Sequence, residues 1–277
     1  MHGERESIGV IAGGGAFPIL VADAARGQGC RTVAVALEGE TSPDLAEHVD
    51  EIVWIRLGQL GALIRAFRNR GIGRVLMAGT ISKRRMFHRA RPDLKGLSLI
   101  SRMAVFHDDG ILRAVTRELE KQEIRVISST EFLPELLAPE GVLTRRRPTR
   151  GEEADIRFGW RMAKELGRLD IGQCVVVRRK TVVALEAMEG TDEAIRRGGG
   201  IAGEEAVVVK VSKPVQDLRF DVPSVGLETV RVMAEAGASV LALEAERTLM
   251  FDKPDMIRFA DEAGISIVSR REKEGER

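Results

Sequence analysis

The strongest constraint on the fold lies in the first 37 residues, where two apolar runs flank a glycine turn and a helical pattern. Residues 7–12 are apolar and lead into three consecutive glycines at 13–15. Residues 17–27 then carry apolar side chains at helical spacing, and residues 30–37 form an apolar run typical of a buried parallel strand. This order of strand, glycine turn, helix and strand predicts a parallel sheet covered by helices.

The alternation of strands and helices continues along the chain and predicts an α/β fold. Further strands are predicted at residues 51–55, 74–78, 125–128, 206–211, 240–245 and 266–268, a hairpin at 174–177 and 181–185, and helices at 59–70, 108–123, 193–197, 227–236 and 253–262. Prolines at 134, 139 and 148, glycines at 141 and 151 and three arginines at 145–147 indicate a linker over 141–151. We therefore expect a Rossmann-like first domain over 1–140, a linker over 141–151 and a second α/β domain over 152–277, with the ligand groove between the domains.

Composition narrows the classes of function. The 43 Lys and Arg residues balance 42 Asp and Glu residues, so no overall charge attracts nucleic acid. The only cysteines, Cys30 and Cys174, exclude a disulfide framework and a cysteine-type zinc site, and fit a reducing, cytoplasmic compartment. No targeting segment and no apolar run of about 18 residues is visible, so any membrane contact is expected to be peripheral.

The glycine turn is the first candidate binding feature. Glycines between a strand and a helix let the backbone approach a phosphate, and the helix start offers free N–H groups. The candidates are Gly13, Gly14, Gly15, Phe17 and Pro18. Proline stands where the dinucleotide fingerprint has its third glycine, so a nicotinamide oxidoreductase is the weaker interpretation. A tight turn without a ligand remains an alternative.

Two further segments carry charge near predicted strand ends. Thr80 precedes a run at 83–91, beginning at Lys83, in which five of nine residues are cationic; it could hold a diphosphate or lie on anionic lipid. From this run alone a solvated basic loop, or a weak RNA patch, is the favoured interpretation, although the neutral net charge counts against RNA. Asp108 and Asp109 open a predicted helix, where capping competes with a substrate or metal role.

The segment Glu186–Asp192, which contains Glu189, Gly190, Thr191 and Asp192, follows a predicted strand, where loops of parallel sheets build binding sites. Thr191 and Asp192 are also ordinary residues for the start of a helix, so a structural role is an open alternative. The sequence alone therefore leaves this segment between substrate binding and helix capping.

The sharpest motif is a polar loop that contains two aspartates four residues apart. Asp217 and Asp221 would share one face of a helix or a strand, and two carboxylates suit Mg²⁺ or Mn²⁺. Lys213 and Arg219 supply the positive charge that phosphoryl chemistry requires. A surface network of ion pairs is the alternative explanation.

The motifs, taken in order, resemble the LpxI family from about residue 7 to residue 269. The resemblance rests on I-A-G-G-G-x-F-P ending at Pro18, H-D-D-G-x-L-R ending at Arg113, L-A-P-x-G-V-L-T ending at Thr144, E-G-T-D at 189–192 and K-P-x-Q-D-x-R-F-D-x-P at 213–223. This resemblance implies two domains of unlike fold with the ligand between them. It also implies a homodimer in the cytoplasm of a Gram-negative bacterium, acting at the inner leaflet of the membrane.

The resemblance implies Mg²⁺-dependent hydrolysis of UDP-2,3-diacylglucosamine to UMP and 2,3-diacylglucosamine 1-phosphate, and leans to attack on the β phosphorus. Asp221 is the first candidate for the essential aspartate and Asp217 the second, both as metal ligands, with Lys213 and Arg219 as further catalytic residues. The candidate substrate-binding residues are Gly13, Gly14, Gly15, Phe17, Pro18, Thr80, Lys83, Asp108, Asp109, Glu189, Gly190, Thr191, Asp192 and Gln216. A nucleotide- or lipid-binding protein without catalysis is the alternative.

Overall fold

The computed structural model describes residues 5–81, 92–100 and 108–272, apart from the side chains at 100, 108 and 109. These residues form two compact units. The first unit comprises the chain up to Pro134 together with Asp217–Asp221, and the second comprises Glu135–Gln216 together with Val222–Arg277. One short piece of the chain is therefore separated in sequence from the unit to which it belongs.

The first unit is built from five strands and five described helices. The strands are β1 (Ser7–Ala12), β2 (Arg31–Leu37), β3 (Glu51–Ile55), β4 (Arg74–Ala78) and β5 (Arg125–Val126). The helices are α1 (Phe17–Gly27), α2 (Leu45–His48), α3 (Leu60–Arg68), α4 (Leu94–Ile100) and α5 (Asp108–Glu120). The predicted βαβ unit at the start of the chain is confirmed.

The sheet of the first unit is entirely parallel, with the strand order β3-β2-β1-β4-β5. The chain leaves β1 in one direction toward β2 and β3, and then crosses to the other side for β4 and β5. The point where the order reverses lies between β1 and β4, and ligands of such sheets bind outside the carboxyl ends of the strands at this point.

The core of the first unit follows from the spacing of its apolar residues. Leu60, Leu63, Ile64 and Phe67 recur at helical spacing along α3 and are buried against Val33, Val35 and Val75 of the sheet. Because both faces of a parallel sheet are covered, β2 reads as an almost continuous buried run from residue 32 to residue 37.

The second unit contains a six-stranded sheet of mixed direction. Its strands in chain order are β6 (Gly141–Val142), β7 (Cys174–Arg178), β8 (Thr181–Leu185), β9 (Ala206–Lys210), β11 (Ala238–Glu244) and β13 (Ser266–Arg270), and β10 (Ser224–Val225) pairs separately with β12 (Leu249–Met250). The sheet order is β6-β13-β11-β9-β7-β8, with β9, β11 and β13 parallel and β7–β8 a hairpin, as predicted.

Helices cover both faces of this second sheet. Alternate residues of the strands point to opposite faces, so Val176 and Val208 join one core while Val175 and Val209 join the other. The first core includes side chains of α7 (Thr191–Ala202), α8 (Leu227–Glu235) and α9 (Lys253–Glu262), and the second includes those of α6 (Arg150–Arg168).

Helix α6 is the longest described helix, and its start explains part of the predicted linker. The Thr149 side chain accepts a hydrogen bond from the Glu152 N–H, and the Glu152 side chain accepts one from the Thr149 N–H. This reciprocal pair satisfies two N–H groups that a helix start leaves without partners. The predicted linker at 141–151 therefore contains an edge strand and a helix cap.

The division into units differs from the predicted domain boundaries. Residues 135–140 belong with the second unit, where the Ala138 N–H donates to the Thr248 carbonyl oxygen at 2.9 Å. Asp217–Asp221 belong with the first unit because of the contacts described below. Within the described ranges, no helix is both long enough and apolar enough to cross a membrane.

Candidate functional site

The glycine turn lies at the reversal point of the first sheet and is bonded to the loop after β4. The Gly13 N–H donates to the Ala78 carbonyl oxygen at 2.8 Å, and Gly14 and Thr80 exchange backbone hydrogen bonds at 2.7 and 3.0 Å. A Cβ at position 13 would lie 2.6 Å from the Thr80 oxygen. Close approach of two backbones therefore explains the first two glycines without a ligand.

The third glycine is required by its conformation and leaves N–H groups available. Gly15 has a φ of 85°, which favours glycine, and an added Cβ would meet nothing within 4 Å. The N–H groups of Gly15 and Ala16 have no acceptor among the residues that the structure describes. They stand at the start of α1, beside half-buried Phe17 and buried Pro18. This is the part of the turn that can receive a phosphate.

Residues 217–221 bind to the carboxyl edge of the same sheet. The Ser129 N–H, just past β5, donates to the Arg219 carbonyl oxygen at 3.0 Å, and Phe220 packs against the core of the first unit. β5 pairs with β4 through Arg125 and Val126, and Ser129 follows three residues after the end of β5. Since neighbouring strands are about 4.8 Å apart, β5 lies roughly 10 Å from β1. The aspartate segment and the glycine turn therefore occupy one edge of one sheet.

Asp217 and Asp221 are joined by a single turn of backbone. The Asp221 N–H donates to the Asp217 carbonyl oxygen at 3.0 Å, and the Phe220 N–H donates to the same oxygen at 3.2 Å. The four-residue spacing therefore takes its helical form, in which the two side chains leave from one face. Both aspartates are half-buried.

The Asp217 carboxylate is occupied by Arg219. Its Oδ1 accepts from the Arg219 backbone N–H at 3.1 Å and from Nε at 3.0 Å, and its Oδ2 accepts from Nη2 at 2.8 Å and from Nε at 3.2 Å. A carboxylate offers about four acceptor sites, so Arg219 uses essentially all of them. These bonds, above all those from the side chain, hold the pKa of Asp217 below its ordinary value.

Arg219 lies between two carboxylates. Its Nη1 also donates to Glu120 Oε1 at 2.8 Å, and hydrogen bonding, first from Asp217 and then from Glu120, raises the pKa of the guanidinium. The predicted role of Arg219 in offsetting phosphoryl charge is thus joined by a second role, which is to hold Asp217.

The lowered pKa of Asp217 predicts a pH-dependent contribution to stability. Ionised Asp217 stabilises the fold above about pH 4, and this contribution is lost as the pH falls through the lowered pKa of the folded state. Replacing Asp217 by asparagine should lower the free energy of unfolding by about 1 kcal/mol at pH 7, a modest amount because Arg219 is partly exposed. Urea midpoints at pH 7, 4 and 3 should show the gap to the unsubstituted protein closing with acid; a constant gap would contradict this account.

Lys213 and Gln216 lie in the second unit, in the loop after β9. Lys213 Nζ is 2.5 Å from Asp170 Oδ1, so its charge is already paired, and its N–H donates to Gln216 Oε1 at 2.7 Å. The Gln216 Nε2 group is buried and has no acceptor among the described residues. An amide donor without a partner is what a ligand oxygen would satisfy.

The Glu189–Asp192 segment also lies in the second unit, at the start of α7. Gly190 adopts a φ of 89° before the helix, and Glu189 pairs with Arg197 at 2.5 Å. Backbone hydrogen bonding, helped by Arg197, lowers the pKa of Glu189. Thr191 Oγ1 donates to Glu186 Oε1 at 2.7 Å, which ties the helix start to the end of β8. These contacts are structural, and a substrate role for the segment stays a prediction.

Some predicted residues lie outside the description, and some contacts were not predicted. The cationic run at 83–91 is not described, and Asp108 and Asp109 are described only as helical backbone. The contacts of Arg219 with Glu120 and Ser129 were not predicted. Both residues lie about a hundred positions before Arg219 in the sequence, and only the fold brings them together. Glu186 opens the predicted segment at 186–192, and its bond from Thr191 was not predicted.

Comparison with known proteins agrees with the order of the motifs. The model of the LpxI N-terminal domain matches residues 7–136, and that of the LpxI C-terminal domain matches residues 139–268. A curated relative from Caulobacter vibrioides, named UDP-2,3-diacylglucosamine pyrophosphatase LpxI, is 34% identical over 272 residues, covering 94% of this chain and 96% of the relative. A solved biotin carboxylase–β,γ-ATP complex from Campylobacter jejuni covers 72% of this chain and 42% of its own, with 14% identity and a TM-score of 0.29, too low to support an argument. The chain therefore belongs to the LpxI family.

Proposed function

We propose that this protein hydrolyses the diphosphate bond of UDP-2,3-diacylglucosamine and releases UMP and 2,3-diacylglucosamine 1-phosphate. The membership in the LpxI family and the name of the Caulobacter relative support this substrate. The observation that carries the proposal is that one edge of the first sheet holds two features: a helix start whose first N–H groups have no acceptor among the described residues, and a turn bearing two carboxylates. Phosphate binding and phosphoryl transfer need these two features within reach of one diphosphate.

Asp221 is the carboxylate that we assign to a divalent cation. Mg²⁺ is typically bound through one or two carboxylates together with phosphate oxygens of the substrate, so a single aspartate fits. Asp217 fits less well, because Arg219 would first have to release it. In the described part of the chain, no three His, Cys, Asp or Glu side chains converge as a metal cluster. When bound, Mg²⁺ or Mn²⁺ would offset phosphate charge and make a water more acidic.

The other residues would bind and orient the substrate. The N–H groups of Gly15 and Ala16 would donate to phosphate oxygens. Gln216, whose Nε2 is buried without an acceptor among the described residues, stays a candidate for substrate binding. Lys213 would add positive charge if it exchanged Asp170 for a phosphate. Attack of water on phosphorus forms one P–O bond and breaks the bond to the bridging oxygen, and the proton of the water leaves to solvent or to a carboxylate.

The test is the release of UMP from purified protein. Mixing the protein with UDP-2,3-diacylglucosamine and Mg²⁺ should produce UMP, measured by chromatography, while EDTA should stop the reaction and added Mg²⁺ should restore it. UDP-glucose, which lacks the acyl chains, is the matched control. In ¹⁸O-labelled water, attack on the β phosphorus would place the label in the sugar phosphate, and attack on the α phosphorus would place it in UMP.

Retention of the substrate without any product, with Mg²⁺ or Mn²⁺ present, would contradict the proposal and favour the binding protein without catalysis. We further propose that the enzyme works in the cytoplasm as a homodimer at the inner leaflet of the membrane. The two acyl chains of the substrate support this, because they keep it in a bilayer. The balanced net charge gives no support to a nucleic-acid partner.

A further inference from the structure

Two lysines of the second unit are almost fully buried and have no role in the proposed reaction. Lys164 is 3% exposed and Lys210 is 6% exposed. Removing an ammonium group from water is costly, and a buried ion pair often contributes little net stability compared with apolar residues of the same size. Such groups are therefore expected to fix a particular arrangement of the chain, and the two lysines contact the residues on either side of the loop that carries Asp217 and Asp221.

Lys164 and Glu244 hold the residue before this loop. Lys164 Nζ, on α6, donates to Glu244 Oε2 at 2.8 Å and to the Ser212 carbonyl oxygen at 3.1 Å. The same carboxylate oxygen, at the end of β11, accepts from the Ser212 N–H at 2.8 Å and from Ser212 Oγ at 2.7 Å. Every polar group of Ser212 is thus bonded, and the loop begins at the next residue.

Lys210 holds the residue after the loop. Its Nζ, at the end of β9, donates to the Ser224 carbonyl oxygen at 2.7 Å and to Thr191 Oγ1 at 2.8 Å. The Ser224 backbone belongs to β10, and the loop ends at Pro223 just before it. Residues 213–223 are therefore fixed at both ends by buried ammonium groups.

We propose that Lys164, Glu244 and Lys210 are positioning residues that fix both ends of the 213–223 loop and thereby the location of Asp217 and Asp221; this inference rests on the proposed function. Displacement of catalytic groups by about 1 Å can lower turnover about a hundredfold, so a loop without a strand or helix of its own needs rigid ends. Because none of the three residues touches the candidate reacting groups, their effect is expected on kcat more than on KM.

The test removes the ion pair without leaving a buried charge. In the double variant Lys164→Met/Glu244→Leu, apolar side chains of similar size replace both partners, so no buried charge remains. The melting temperature should still fall by several degrees, because the buried N–H, hydroxyl and carbonyl groups of Ser212 lose their partners. Ser212 loses its anchors, so kcat should fall about 10- to 100-fold at nearly constant KM. Amide exchange of peptides covering 212–224 should become at least about tenfold faster, and Ser212→Ala, which removes only one bond, should show a smaller change in the same direction.

The matched control is Asp155→Asn, on the same helix. Asp155 is also buried, but its carboxylate holds the backbone N–H groups of Arg179 and Lys180 in the β7–β8 hairpin, at 2.8 and 2.6 Å. The Asp155→Asn substitution should lower the free energy of unfolding and leave kcat, KM and the amide exchange of the 212–224 peptides unchanged. Unchanged kcat and exchange in both the double variant and Ser212→Ala would overturn the inference. If the unsubstituted protein releases no UMP, the proposed function fails, and the exchange measurement still decides whether the anchors hold the loop.

Discussion

Replacement of Asp221 by asparagine is expected to lower kcat about 10³-fold while the protein keeps its fold. The substitution conserves the size of the side chain and removes the negative charge. Asp217 cannot readily replace it, because the acceptor sites of Asp217 are used by Arg219. Loss of one preorganised charged or hydrogen-bonding group at a phosphoryl centre has effects of this size. The measurement is the rate of UMP release at saturating substrate and Mg²⁺.

The control for Asp221→Asn is Asp255→Asn, which removes an exposed carboxylate that pairs with Arg258 on α9. This control should retain full activity, and circular dichroism of both variants should show the fold of the unsubstituted protein. Full turnover in Asp221→Asn would remove Asp221 from the mechanism and leave the ion-paired Asp217 as the remaining candidate.

Replacement of Gly79 by alanine is expected to lower the free energy of unfolding by roughly 3 kcal/mol. Gly79 has a φ of 91°, which alanine adopts only with strain, and an added Cβ would lie 2.5 Å from the Gly14 carbonyl oxygen and 2.9 Å from the Gly13 carbonyl carbon. Both contacts are to backbone, so the glycine turn itself would have to move. Urea unfolding followed by circular dichroism measures the effect, and UMP release should fall with it.

A second glycine provides the comparison for Gly79. Gly73, just before β4, lies in open space, so Gly73→Ala should change stability by less than about 1 kcal/mol. Equal stability of the two variants would show that the glycine turn and the loop after β4 do not need their close approach.

The regular elements of this protein could be predicted because their signals are local. The buried strands 7–12 and 31–37 are nearly continuous apolar runs, and glycines mark the helix between them, so their order alone predicts the parallel sheet. The β7–β8 hairpin was predicted for the same reason, from two apolar runs separated by a short polar turn.

Helix α6 has a local sequence signal at its start that was overlooked. The arginines, glycines and proline at 141–151 predict a linker, and the nineteen-residue helix that begins at Arg150 was not predicted. The signal was present in Thr149 and Glu152, which have the spacing of a capping box. Ile156, Trp160 and Ala163 then follow at helical spacing and are all buried.

The candidate site was only partly accessible from the sequence. Which residues carry charge was clear, but their partners depend on contacts between distant parts of the chain. Arg219 was expected to face phosphate, yet it binds Asp217 two residues away and Glu120 a hundred residues away. The spacing of residues within the loop gives no signal for a partner so far away in the sequence.

Residues 217–221 belong to the first unit although they lie in the second half of the sequence, so a cut at residue 134 removes part of that unit. A polypeptide that stops at Pro134 would lack Phe220, which packs on its core, and the acceptor for the Ser129 N–H. Division of the chain at that boundary would therefore separate the first unit from a turn that packs on its core. Two split fragments would regain these contacts only if the carboxyl-terminal fragment supplied the turn.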